Sequence, residues 1–110
     1  MNHTSFNAAL LVGLWSGSGD GPNGLRIDSS MAIRADGTFS GDASIQGQLI
    51  WTFVGTWRVD GCSVAFAYLE SSRPLPENYI DTDDIESIDD NLMVSTSRLS
   101  GKQHILVRVG

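Results

Sequence analysis

From Leu25 onward, apolar and polar residues alternate with a period of two, the signature of half-buried strands. Leu25, Ile27, Met31 and Ile33 share one face, and Arg26, Asp28, Ser30 and Arg34 the other. Asp36-Gly37 is a tight hairpin signal. After it, Phe39, Gly41, Ala43, Ile45 and Gly47 face inward, while Thr38, Ser40, Asp42, Ser44 and Gln46 face outward. A turn near Gly47-Gln48 leads into a long strand with Leu49, Trp51, Phe53, Gly55, Trp57 and Val59 on its inner side. Asp60-Gly61 is a second hairpin signal, and Val64, Phe66 and Tyr68 continue the inner face.

Elsewhere the pattern breaks. Leu14 to Ser18 is the first strand, and the glycine-rich stretch 17–24 reads as a loop. Ser71 to Asn78 is a loop by composition. Tyr79 to Asp90 fits either a helical spacing through Ile85, Ile88 and Leu92 or a strand; its β-branched residues and neighbouring hairpins favour the strand. Asp89-Asp90-Asn91 and Ser100-Gly101-Lys102 are turns flanking a strand with Leu92, Val94 and Thr96, and His104 to Val109 is the last strand. Residues 4–12 predict one or two helical turns that plug one end. The expectation is an all-β chain, residues 1–110 forming one domain: an eight-stranded antiparallel up-and-down barrel with a short N-terminal helical lead. Closing the sheet removes both of its exposed edges.

Composition narrows the function. A hydrophobic content of 41% in 110 residues supports one compact core. The net charge of -6, with no basic run, argues against nucleic acid, because an acidic surface repels phosphates. Cys62 is the only cysteine, so no internal disulfide forms. The apolar run Ala8 to Trp15 is too short to span a bilayer and lacks the flanks of a signal peptide. The cytoplasm is the default compartment, with a removed leader left open.

Gly13-Leu14-Trp15 in the first strand, Arg108 in the last and the meander between them resemble the lipocalin or calycin pattern. Asp36-Gly37-Thr38-Phe39 through Gly55-Thr56-Trp57-Arg58-Val59 is similar to small bacterial lipocalin-like domains. The resemblance implies a structural signature of Gly13, Trp15 and Arg108, with Trp15 packed at the closed end beneath Arg108. It also implies that the glycine-rich loop caps the mouth. The chain departs from secreted lipocalins in having no disulfide pair and no long C-terminal helix. It shares Gly-x-Trp with avidins but lacks their biotin-stacking set.

Few residues suggest chemistry. The glycine-rich stretch is followed by a strand, whereas a phosphate cradle needs a helix there. Asp81 to Glu86 lacks EF-hand spacing and reads as a solvated acidic face. His3, His104 and Cys62 lack metal-ligand spacing. No nucleophile elbow surrounds Ser18. The chain nominates no catalytic residue, no metal ligand and no cofactor. One set remains: Phe39, Trp51, Phe53, Trp57, Phe66 and Tyr68 face inward, as a barrel core or as the lining of an apolar ligand site. Arg73, in the loop expected to roof the mouth, is placed to meet a ligand carboxylate.

The reading favoured is a non-catalytic binding domain for a small apolar or amphipathic ligand in the barrel interior. A protein-interaction module with a filled core is the alternative. An isomerase or hydrolase rests on fold analogy alone. Ile50 and Val54, outward beside Trp51 and Phe53, make that stretch apolar on both faces and suggest a homodimer.

Overall fold

A computed structural model describes residues 6–20 and 24–110. Eight strands follow in chain order: β1 (Gly13–Asp20), β2 (Arg26–Ile33), β3 (Thr38–Ile45), β4 (Gln48–Asp60), β5 (Ser63–Ser71), β6 (Ile80–Ile88), β7 (Leu92–Ser97) and β8 (Gln103–Arg108). Each pairs antiparallel with the next, and β8 returns to β1 to close the barrel. The ambiguous stretch after Tyr79 is thus a strand. A single 3-10 turn, Ala8–Leu11, precedes β1, and the Asn7 side chain caps it by accepting the Ala9 N–H at 3.0 Å.

Two-residue hairpins need left-handed backbone, and the chain supplies it with glycine. Gln46 and Gly47, at φ 52° and 80°, join β3 to β4, one residue earlier than expected. A bulge then slips the β3–β4 register, so that Ala43 faces Trp51 while Ser44 faces Leu49. This moves Leu49 to the outer wall, where it is 58% exposed. Strict alternation had placed it inside, but one extra residue reverses every side chain beyond a bulge. A second bulge, between Val54 and Gly55, turns Glu70 outward opposite Val54. Gly55 is required there, since a Cβ would strike the Ala67 carbonyl.

β1 is longer than expected. Gly17 and Gly19 belong to the strand, paired with Ser29 and Ile27, and are not part of a loop. Residues 21–23 of the expected mouth loop lie outside the described residues.

The core sits toward one end. Leu11, Trp15, Ile33, Phe39, Phe53, Val64, Phe66 and Met93 are buried together. This end carries the 3-10 turn and the β2–β3, β4–β5 and β6–β7 turns. The opposite, open end carries the β1–β2, β3–β4, β5–β6 and β7–β8 connections. Among the described residues no helix is long and apolar enough to cross a membrane.

Candidate functional site

Arg108 organises the closed end. Its guanidinium carbon lies 4.3 Å from the Trp15 ring centroid. Nε donates to the Asp90 carbonyl at 2.7 Å and Nη1 to the Val12 carbonyl at 2.7 Å, while Nη2 donates to the Leu10 carbonyl. One side chain therefore ties the N-terminal lead, the β6–β7 turn and β8 to the first strand. Trp15 is fully buried and donates its indole N–H to the Leu11 carbonyl at 2.8 Å. At Gly13, with φ 150°, a Cβ would collide with Arg108. This clasp is structural: each of the three guanidinium nitrogens donates to a backbone carbonyl, and the Trp15 ring is fully buried.

Five of the six inward aromatics meet. Phe39 lies 5.0 Å from Phe66, 5.2 Å from Tyr68 and 6.1 Å from Phe53, measured between ring centroids. Trp51 is 4.5 Å from Phe53 and stacks on Tyr68 at 6.0 Å and 8°. Phe39, Phe53 and Phe66 are buried and interlock as a core does. Trp57 stands apart near the closed end, where its indole N–H reaches the Arg34 carbonyl at 2.9 Å. Trp51 and Tyr68 lie nearer the open end and are only partly buried, with the Trp51 indole N–H donating to Ser71 Oγ at 2.7 Å. Tyr79 adds an edge-on ring 5.4 Å from Tyr68.

Next to Tyr68 lies a recess of about 500 Å3, between the ends of β5 and β6 and the 72–79 connection. Tyr68, Leu69, Pro74, Leu75, Tyr79 and Ile80 form its apolar surface, and Arg73, Glu70 and Glu77 supply its charged groups. Arg73 is exposed and makes no ion pair among the described residues. Of the aromatic set and Arg73, the structure places only Tyr68 and Arg73 on this recess. The two prolines of Ser71 to Asn78 marked the loop, but nothing in the sequence showed that Leu75 and Tyr79 fold back toward Tyr68.

The acidic stretch does not form one solvated face. Asp81 pairs with buried Phe66 and Asp83 with buried Val64, so both carboxylates turn inward. Asp84 and Glu86 turn outward, Asp84 toward Arg98 and Ser63 and Glu86 toward Thr96 and Gln103. Buried Ser97 donates to Asp81 at 2.9 Å, and Ser95 is buried on the same wall. Asp83 Oδ1 is sealed from solvent without a hydrogen-bond partner among the described residues. Burial first, then the charges of Asp81 and Asp84, push the Asp83 carboxyl up to about 7. Burial, with Asp81 and Asp83 behind it, also raises the Tyr68 hydroxyl. The alternation Asp81-Thr82-Asp83 carried this signal, once Tyr79 to Asp90 is taken as a strand beside Phe66.

A larger hollow, about 650 Å3, lies on the outer wall. Leu14, Ala32, Ser40, Val54 and Glu70 cross it as one row of register partners on β1 to β5. Among the described residues no group of three His, Cys, Asp or Glu side chains is placed to hold a metal ion, and His3 lies outside them. No protein-family model matches the chain, and no curated protein sequence matches it. The class is therefore defined by the architecture, an eight-stranded up-and-down β-barrel, a form compatible with ligand binding.

Proposed function

We propose that this barrel is a lipocalin-like, non-catalytic binding domain that takes a small amphipathic molecule at its open end. The observation that carries the reading is the recess of about 500 Å3 with Arg73 at its border. Its volume falls in the range of small-molecule sites, which are mostly apolar with a few placed polar groups. An acyl or aromatic body would lie on Tyr68, Leu75, Tyr79 and Ile80. A carboxylate would meet Arg73, whose charge stays partly solvated there. The interlocked Phe39, Phe53 and Phe66 favour the open end over the barrel centre as the ligand's place.

Calorimetric titration with decanoate and decanol tests this, with Trp51 fluorescence as a second signal because its ring stacks on Tyr68. Decanoate should bind more tightly. Arg73→Gln should weaken decanoate by about 1 kcal/mol, a factor of about 5, and leave decanol unchanged. Failure of both probes to bind, or indifference of decanoate to Arg73→Gln, refutes the reading. The interaction-module alternative draws on the outer hollow, which is larger than the recess and borders an unusual face of the barrel.

A further inference from the structure

Outward side chains on β2 to β6 include charges on every strand: Arg26 and Asp28, Asp42, Arg58, Glu70, and Asp84 with Glu86. The adjoining wall is different. Leu92, Val94 and Thr96 on β7 lie opposite Val107, Ile105 and Gln103 on β8, and Val107 lies opposite Ser16 on β1. Leu14 of β1 is joined to Val109 by a 2.8 Å backbone hydrogen bond. None of these residues is charged. Leu14, Leu92, Ile105, Val107 and Val109 are 38–62% exposed and contiguous. A contiguous apolar patch of this kind, rimmed by polar residues, is the sort of surface on which proteins associate.

The ends of the patch differ in charge: the closed end is acidic, and the open end carries Lys102 beside Glu86, whose carboxylate accepts from Thr96 and Gln103. Exposed Lys102 stands in the β7–β8 turn at the open end, and exposed Asp90 in the β6–β7 turn at the closed end. Two copies laid face to face about a two-fold axis across the strands would run antiparallel. Each Lys102 would then come to the partner's Asp90 end, with aliphatic wall against aliphatic wall between them. Two chains of net charge -6 repel wherever acidic walls approach, and this wall is the approach with least repulsion. A lipid surface fits less well, because the exposed rim residues Glu86, Asp89 and Asp90 repel anionic headgroups.

We infer that the β7–β8–β1 wall is the surface on which a second copy of this chain docks, antiparallel, with Lys102 and Asp90 at the rim of the interface. This centres the expected homodimer on β7–β8–β1 and not on β4, where Ile50 sits at the bulge; Val54 meets the wall only across the outer hollow, which Leu14 and Val109 also line.

Sedimentation equilibrium of the full chain, from about 5 to about 500 µM, should show a monomer–dimer equilibrium. Raising salt should tighten it, since screening relieves the mutual repulsion of two acidic copies more than it weakens two rim pairs. Ile105→Asp with Val107→Asp should raise the dissociation constant at least about tenfold. Lys102→Glu should weaken association about threefold to tenfold, and adding Asp90→Lys should restore it. Amide exchange on the wild type gives a readout that needs no variant: β8 protection should rise with protein concentration. A wild type monomeric throughout, a dimer indifferent to Ile105→Asp with Val107→Asp, or binding to phosphatidylcholine vesicles without self-association would each overturn the proposal.

Discussion

Asp83 makes the barrel less stable at neutral pH than in mild acid, and Asp83→Asn should remove most of that difference. The carboxyl moves from its ordinary 3.8 to about 7 on folding, first because it is buried and then because Asp81 and Asp84 stand near it. Between those values the folded chain holds a proton that the unfolded chain has released. Stability must therefore fall as pH rises through the window. The full displacement corresponds to about 4 kcal/mol. About 3 kcal/mol of this falls above about pH 5, and because Asp83 as a whole is only half-buried, solvent screening trims the loss between about pH 5 and about pH 8 to roughly 1–2 kcal/mol. Four exposed carboxylates work with the opposite sign, each held below its ordinary value by hydrogen bonds: Asp36 chiefly by Thr38, Asp84 by Arg98, Glu86 by Thr96 and Asp89 by the Asn91 amide. Their contribution is lost only as pH falls below about 4, so between about 5 and about 8 these four carboxylates do not offset the effect of Asp83. Thermal melts across that range should show the wild-type midpoint dropping by roughly 5–10 °C and the Asp83→Asn midpoint dropping by much less. An equal pH slope in both proteins would refute the inward placement of this carboxylate.

Trp15→Ala should cost roughly 3–5 kcal/mol, read by urea denaturation, because it removes the fully buried ring beneath Arg108. Wild-type stability in that variant would show that the closed end is not held by this clasp. Gly55→Ala should prevent the barrel from closing, since the added methyl meets the Ala67 carbonyl and the Phe39 ring; far-UV circular dichroism and expression level report it, and a folded variant would contradict the β4–β5 register.

Most of the architecture is legible in local pattern. Alternation from Leu25 to Tyr68 and the Asp36-Gly37, Gly61 and Gly101 turns follow from steric rules acting within a few residues. They specify strands joined by hairpins, and closing such strands on themselves removes their exposed edges. The pairing of Trp15 with Arg108 spans nearly the whole chain and leaves no mark in the local pattern; only the family resemblance points to it. The site was less legible. Phe39, Phe53 and Phe66 look identical in sequence whether they line a void or fill one, because the answer depends on how far the barrel walls stand apart. Leu49 turned outward through a bulge that leaves no mark in the alternation. Asp81 and Asp83 turned inward because β6 lies beside Phe66 and Val64, a neighbourhood set by closure and not by their own surroundings in the chain. Which residues face the core is a short-range property. Which walls meet across it, and how much space they leave, is decided only when all eight strands are in place.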